Sequence, residues 1–459
     1  MKFKPEILAP VGSFEKAKTA IRYGADAIYC GTSSLSLRTR TNMSDEELVK
    51  TINYAHSKGK KVYVNINIYA WDEKYQEIKE QAKLLNDLKV DGIIVADGGV
   101  VDVLKEYAPD VDIHISTQAN TVSYHSANFW YKNGAKRVIL ARELNKEQIR
   151  ELMEHKPKDL EVEIFVHGAI CFGYSGRCFL SDFLTGRSAN LGDCAQCCRW
   201  GYNIYLEDKN NEGTLLKLED DDKGTYIMSS KDLCLIKEIP EIVDMGIDSL
   251  KIEGRLKTEY YLATVINAYR CAIDDYMSNP NEYDFNKYLT ELNKVKTRGL
   301  TTFYFNDRNN KDFQEYKGRQ YNENFEYAGK VIKVLDKQYS DSSVECKEGN
   351  TVGADYDKSV EVNLESGSGN CSENCSENGK NNVHGYEVVL EIKNKLSVGD
   401  KIEIIIPNSI DTVDFVIDKL WDIDTNEEIE AINPGRAEQK VKMVIPIKVE
   451  EGYILRRVK

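Results

Sequence analysis

Through its first 278 residues the chain repeats one pattern: a short apolar run ends in a polar residue or glycine, and an amphipathic stretch follows. The runs are EILAP from Glu6, AIYCG from Ala27, KVYVNIN from Lys61, GIIVAD from Gly92, DIHISTQ from Asp112, RVILARE from Arg137, EVEIFVHG from Glu161 and SLKIEGR from Ser249. Strands this continuously apolar imply a parallel sheet covered on both faces. Eight such strand–helix units predict closure into a TIM-like (β/α)8 barrel, within the α/β class. An open doubly wound sheet is the competing architecture, but no Gly-x-Gly-x-x-Gly turn follows the first strand to support a dinucleotide site. The helical stretches SFEKAKTAIRYG and SDEELVKTINYAHSKG open with serine, a good N-cap, and stop at glycine.

The barrel is expected over 1–278, with a cysteine-rich insertion at 169–248, and a charged helical linker over 279–322. From about Phe325 the period changes to two, as in VGDKIEIII and VKMVIPIK, which predicts a small C-terminal antiparallel β-barrel over 323–459. A low-complexity insertion, 347–383, interrupts it and carries Cys371 and Cys375.

The N-terminal MKFKPEILAPVGSF has no apolar signal core, and no run approaches the ~18 apolar residues of a membrane span, so a cytoplasmic protein without membrane attachment is expected. The net charge of −14 repels nucleic acid, so any RNA contact demands a confined basic surface. The best candidate is the ending VKMVIPIKVEEGYILRRVK, with Lys440, Lys442, Arg456, Arg457 and Lys459; solubilising an edge strand is the competing role. Eleven cysteines in a chain of this kind point to metal or redox chemistry rather than disulfides.

In a (β/α)8 barrel the active site lies at the carboxyl ends of the strands. Those ends offer Gly31, Asn67, Asp97, Gln118, Asn120, Arg142, Glu143, His167, Glu253 and Arg255. Asp97 and Asn120 also suit helix caps. After the seventh run, Cys171, Cys178, Cys194, Cys197 and Cys198 crowd one loop, with Cys234 further on. Only Cys194 and Cys197 make a Cys-x-x-Cys knuckle, where structural zinc usually takes two. Irregular, separated ligands suit a [4Fe–4S] cluster; zinc and free thiols remain alternatives. Peptidase chemistry is poorly served. Neither His-Glu-x-x-His nor Gly-x-Ser-x-Gly occurs, which leaves Cys171 with His167 as the conceivable nucleophile and base.

The segment from Glu163 to Ser181 resembles the signature of the U32 peptidase-like (collagenase-like) family, matched at Glu163, Phe165, Gly168, Ala169, Ile170, Cys171, Gly176, Cys178, Leu180 and Ser181. EILAPVGSFEKAKTAIRYGADAIYCG, SLR at Ser36 to Arg38, GDCAQCCRW and KDLC are also similar to this family, most of all to its tRNA 5-hydroxyuridine branch. The resemblance implies a [4Fe–4S] enzyme of oxygen-independent RNA hydroxylation at the wobble uridine of tRNA, with prephenate as the dicarboxylate donor. It implies Cys171, Cys178, Cys194 and Cys234 as cluster ligands. Arg142, Arg255, Glu253 and His167 are then the expected catalytic set, and Arg38, Asn67, Gln118 and Asn120 the substrate contacts. For the arginines, paired binding of carboxylates competes with ordinary salt bridges. A U32 peptidase and a non-catalytic scaffold braced by the cluster are the alternatives.

Overall fold

The computed structural model describes residues 3–32, 35–36, 43–171, 173–202, 204–207, 213, 215–218, 230–307, 324–341, 383–435 and 439–459. Arg38, Cys371 and Cys375 lie outside them.

All eight apolar runs form strands: β1 (Glu6–Pro10), β2 (Ala27–Gly31), β3 (Lys61–Ile66), β4 (Gly92–Val95), β5 (Asp112–Ile115), β6 (Ala135–Ile139), β7 (Glu161–Ala169) and β8 (Ser249–Ile252). Each pairs in parallel with the next in order, except that β8 pairs with both β7 and β1 in parallel, which closes the barrel. Helices follow the strands: α1 (Phe14–Arg22), α2 (Asp45–Ser57), α3 (Tyr75–Asp87), α4 (Gly98–Tyr107), α5 (Tyr124–Lys132), α6 (Lys146–His155), α7 (Ile239–Asp244) and α8 (Glu259–Ser278). Ser13 and Ser44 cap α1 and α2 by accepting from Lys16 N and Glu47 N. Asp97 caps α4 by accepting from Gly99 N and Val100 N. Its role is therefore structural, as the sequence allows.

The shell between strands and helices is apolar. Inside the barrel, Leu8, Ala27, Tyr29, Tyr63, Ile94 and Ile139 form a small apolar cluster. Nearer the amino ends the interior is ionic. Arg137, 3% exposed, meets Glu6 at 2.7 Å, Glu161 at 2.7 Å and Glu163 at 3.1 Å. Lys251 adds a contact to Glu163 at 2.8 Å, and the Tyr63 hydroxyl donates to Glu6 at 2.8 Å.

β7 outruns its pairing with β8. Its last residues pair antiparallel with a short strand, Asp232–Cys234, which sets Cys234 opposite His167. The region expected to be a linker carries a helix, Phe285–Leu292, that buries Tyr288, Glu291 and Leu292.

The chain divides into two compact units. The first holds Met1–Tyr327 together with Glu403–Val413 and Ile454–Lys459; the second holds Ala328–Ile402 and Asp414–Tyr453. In the second, Val383–Ile392 pairs antiparallel with Lys440–Ile445, which pairs with Leu420–Asp422, as the period-two pattern predicts. In the first, Arg456 is fully buried, at 2.8 Å from Glu291 and 2.5 Å from Glu403. Arg457 and Lys459 both pair with Glu326. Of the five cations of the candidate RNA face, three pair with carboxylates, and one of these, Arg456, is buried. Among the described residues no helix is long and apolar enough to cross a membrane.

Candidate functional site

At the carboxyl ends of the strands lies a cavity of about 270 Å³. Its wall is built by the barrel: Tyr29, Asn65, Asn67, Gln118, Arg142, Phe165, Lys251, Glu253 and Arg255. Its other side is the cysteine loop, which contributes Cys171, Cys178, Cys194 and Cys198.

Local chemistry holds that loop over the barrel. Gly168 adopts φ +107°, and a Cβ there would lie 2.3 Å from the Glu253 carbonyl oxygen, so only glycine lets β7 pass the end of β8 this closely. Gly173 would clash in the same way with Arg177 and Cys178, drawing the Cys171 and Cys178 limbs together. Ser175 is pinned from the barrel: Glu143 accepts from its N–H at 2.7 Å, and its hydroxyl lies 3.0 Å from Asn120 Oδ1. The buried Asn190 side chain accepts from Cys178 N at 3.2 Å and donates to Cys178 O at 3.1 Å. Ser181 Oγ accepts from Ala195 N at 2.9 Å and donates to Arg187 O at 2.7 Å, which fixes the Cys194 turn.

Two backbone amides point at sulfur. Leu180 N donates to Cys178 Sγ and Gln196 N to Cys194 Sγ, both at 3.4 Å. Such bonds favour the thiolate and tune a bound metal. Burial pushes the Cys198 thiol pKa up; Arg199 opposes this, and Cys171, Cys194 and Cys178 add to the rise. The four thiols thus share one electrostatic environment. Among the described residues no three Cys, His, Asp or Glu side chains converge tightly enough to hold a single metal ion. Four thiols line this one cavity, and two of them accept from backbone N–H groups, a donor set of the kind that thiolate-bound metal centres use.

The structure redistributes the expected residues. Cys198 lines the cavity beside Cys171, Cys178 and Cys194, and Cys234 does not. Cys234 is 7% exposed, with the Tyr269 hydroxyl 3.9 Å from its sulfur, and burial raises its pKa to about 11. The cause is its strand pairing on the far side of β7. Cys197 is buried, with its sulfur 4.0 Å from Leu180 O. His167 also lies outside the cavity. It is 1% exposed, 3.4 Å from the Tyr269 hydroxyl, and its Nε2 makes no hydrogen bond. The register shift between β7 and β8 beside Lys251 turns its ring toward α8. Asn120 anchors the loop rather than lining the cavity.

Arg142, Arg255, Glu253, Asn67 and Gln118 do line it. Arg142 donates to Ala169 O at 3.2 Å and lies 4.9 Å from the Phe165 ring centroid. Arg255, 4% exposed, donates to Ser36 Oγ at 2.8 Å. Gln118 is 3% exposed, and neither its Oε1 nor its Nε2 has a hydrogen-bond partner in the protein. Lys251, Asn65 and Tyr29 escaped the sequence reading. They lie within their strands rather than at the ends, and inward-facing alternation was the available signal.

The model of peptidase family U32 matches residues 12–315, and that of the U32 C-terminal domain matches 377–456. The chain belongs to peptidase family U32. Among its U32 relatives, "tRNA hydroxylation protein P1" of Bacillus subtilis is 34% identical over 99% of this chain and 95% of its own length. "tRNA hydroxylation protein P" of Escherichia coli is 36% identical over 69% of this chain and 77% of its own. A "Collagenase" of Porphyromonas gingivalis is 33% identical over 72% of this chain and 81% of its own. In this U32 chain the segment Glu163–Ser181 spans from the ionic barrel interior, through Gly168, to two of the thiols and the Ser181 clasp.

Proposed function

We propose that this U32 protein is a cytoplasmic enzyme that hydroxylates tRNA at the wobble uridine without molecular oxygen. In this reading Cys171, Cys178, Cys194 and Cys198 hold a [4Fe–4S] cluster, and prephenate is the dicarboxylate donor. The observation that carries it is a single cavity lined by four thiols, two arginines and Gln118, whose buried carboxamide has no hydrogen-bond partner among the described residues. A carboxamide offers one donor and one acceptor side by side, and uracil presents the complement, N3–H beside a carbonyl. Relatives named as tRNA hydroxylation proteins support RNA as the substrate.

A bound cluster would supply electron transfer or a Lewis-acid iron. The chain's own residues do the rest. Gln118 orients the base. Arg142 and Arg255 offer guanidinium groups to the donor's carboxylates. Asn65 and Asn67 line the wall as further polar contacts. Outside the cavity the cysteine loop exposes Phe179 at 73% and Phe183 at 85%, with Tyr174 and Trp200 also exposed. Exposed aromatic rings stack on unpaired bases, which lets an acidic protein bind RNA with little net attraction. A peptidase reading finds less support, because His167 faces away from the cavity that Cys171 lines.

The test is complementation of a deletion strain, read by mass spectrometry of tRNA nucleosides and by iron–thiolate absorbance of anaerobically purified protein. Cys198→Ser should lose both the absorbance and 5-hydroxyuridine, while Cys234→Ser keeps both. The reverse pattern would overturn the ligand set but leave the reaction. Unchanged nucleosides in the deletion strain would overturn the reaction.

A further inference from the structure

We infer that a second cavity beside the cysteine chamber is a binding site for a small dianion, a dicarboxylate or a phosphomonoester. Its volume is about 270 Å³, and it shares Gln196, Arg199 and Glu253 with the chamber. Four cationic side chains line it, Arg199, Lys257, Lys296 and Arg298, against two carboxylates, Asp232 and Glu253. The excess of two positive charges lies in a chain whose net charge is −14.

Arg298 is the buried cation of this lining. It is 8% exposed; its Nη2 binds Asp232, while its buried Nη1 makes no hydrogen bond. A buried guanidinium N–H left without an acceptor is costly, and an anion in the cavity would remove that cost. Lys257 is crowded as well. Its Nζ lies 3.5 Å from Lys296 O and 4.9 Å from the Tyr261 ring centroid. Burial lowers the Lys257 pKa; Asp232 opposes this, and Arg298 and Arg199 add to the fall. A phosphodiester brings one negative charge to this site, whereas a dicarboxylate or phosphomonoester matches the excess of two. The site's affinity for a dianion does not rest on the hydroxylation reading.

The experiment is calorimetric titration of the full chain with malonate and with inorganic phosphate, using acetate as the monoanion control and a single-stranded RNA oligonucleotide as competitor. One equivalent of malonate or phosphate should bind, and Lys257→Gln should weaken it at least tenfold. The exposed Lys296→Gln, which spares the fold, should weaken it in the same direction. Tighter malonate binding assigns a dicarboxylate, and tighter phosphate binding a phosphomonoester. The inference is overturned if neither dianion binds better than acetate, if both lysine variants bind as wild type, or if only the oligonucleotide binds.

Discussion

The two ends of the barrel interior are both polar, and they treat their polar atoms in opposite ways. At the amino end, Arg137 contacts three carboxylates and Lys251 shares one of them. At the carboxyl end, Gln118 is equally buried but has both amide atoms unmatched. Burying a polar group without a partner costs free energy, so a fold retains one where something else completes it. The Arg137 network is matched within the fold, whereas Gln118 is left for the proposed ligand to complete. Lys251 bridges the two ends, since its ammonium pairs with Glu163 while its side chain lines the cavity.

The comparison breaks most visibly at Arg137. Arg137→Met strands Glu6 and Glu163 without their shared cation, and should cost about 3–5 kcal/mol of stability. Urea unfolding measures this, and a loss below about 1 kcal/mol would show that the network is not scaffold. Acid sharpens the contrast next. His167 is held neutral, its pKa pushed down to about 4 chiefly by burial, with Asp232 opposing and Lys257 adding to the fall. Below pH 6.5 the unfolded chain therefore takes up a proton that folded His167 refuses. Stability should fall between about pH 6.5 and about 4, by about 3 kcal/mol from this residue. In His167→Gln the slope of stability against pH should flatten. Burial lowers the His114 pKa as well, so part of the slope will remain. The smallest effect on stability belongs to Gln118. Gln118→Leu should change it by less than about 1 kcal/mol, or raise it, because two unmatched atoms leave the interior. Modified tRNA in cells should nevertheless drop sharply. If stability falls as it does for Arg137, the two ends are not different in kind.

The barrel was legible because its signal is periodic and redundant: eight apolar runs each end in a polar residue, and serine caps mark the helix starts. The site was legible only as far as position along the chain determines it. Arg142, Arg255, Gln118 and the first three cysteines sit where strand ends and one loop must place them. That Cys198 lines the cavity and Cys197 does not is invisible in the sequence, since adjacent residues in a turn face different ways for reasons of long-range packing. His167 was misplaced because β7 continues past the barrel and shifts register against β8, so counting to the strand end lands on the outer face. The ion pairing of Arg137 with Glu163 was not legible, since a charge buried by partners on other strands has no local signature.

The buried Arg456 has a consequence for how the protein is made. The first unit closes on residues 403–413 and 454–459: the Tyr23 hydroxyl accepts from Ile454 N and donates to Ile405 O, and Glu291 waits for Arg456. A ribosome will have finished strand β8 long before it supplies those partners. Domains commonly fold in order as they emerge, but this barrel must keep one flank open while the whole second unit is translated. Its Glu291–Arg456 ion pair then forms only after the second unit is made. A chain ending near residue 322 would lack Arg456 and the partners that Tyr23 holds, and so would leave the first unit without its closing contacts.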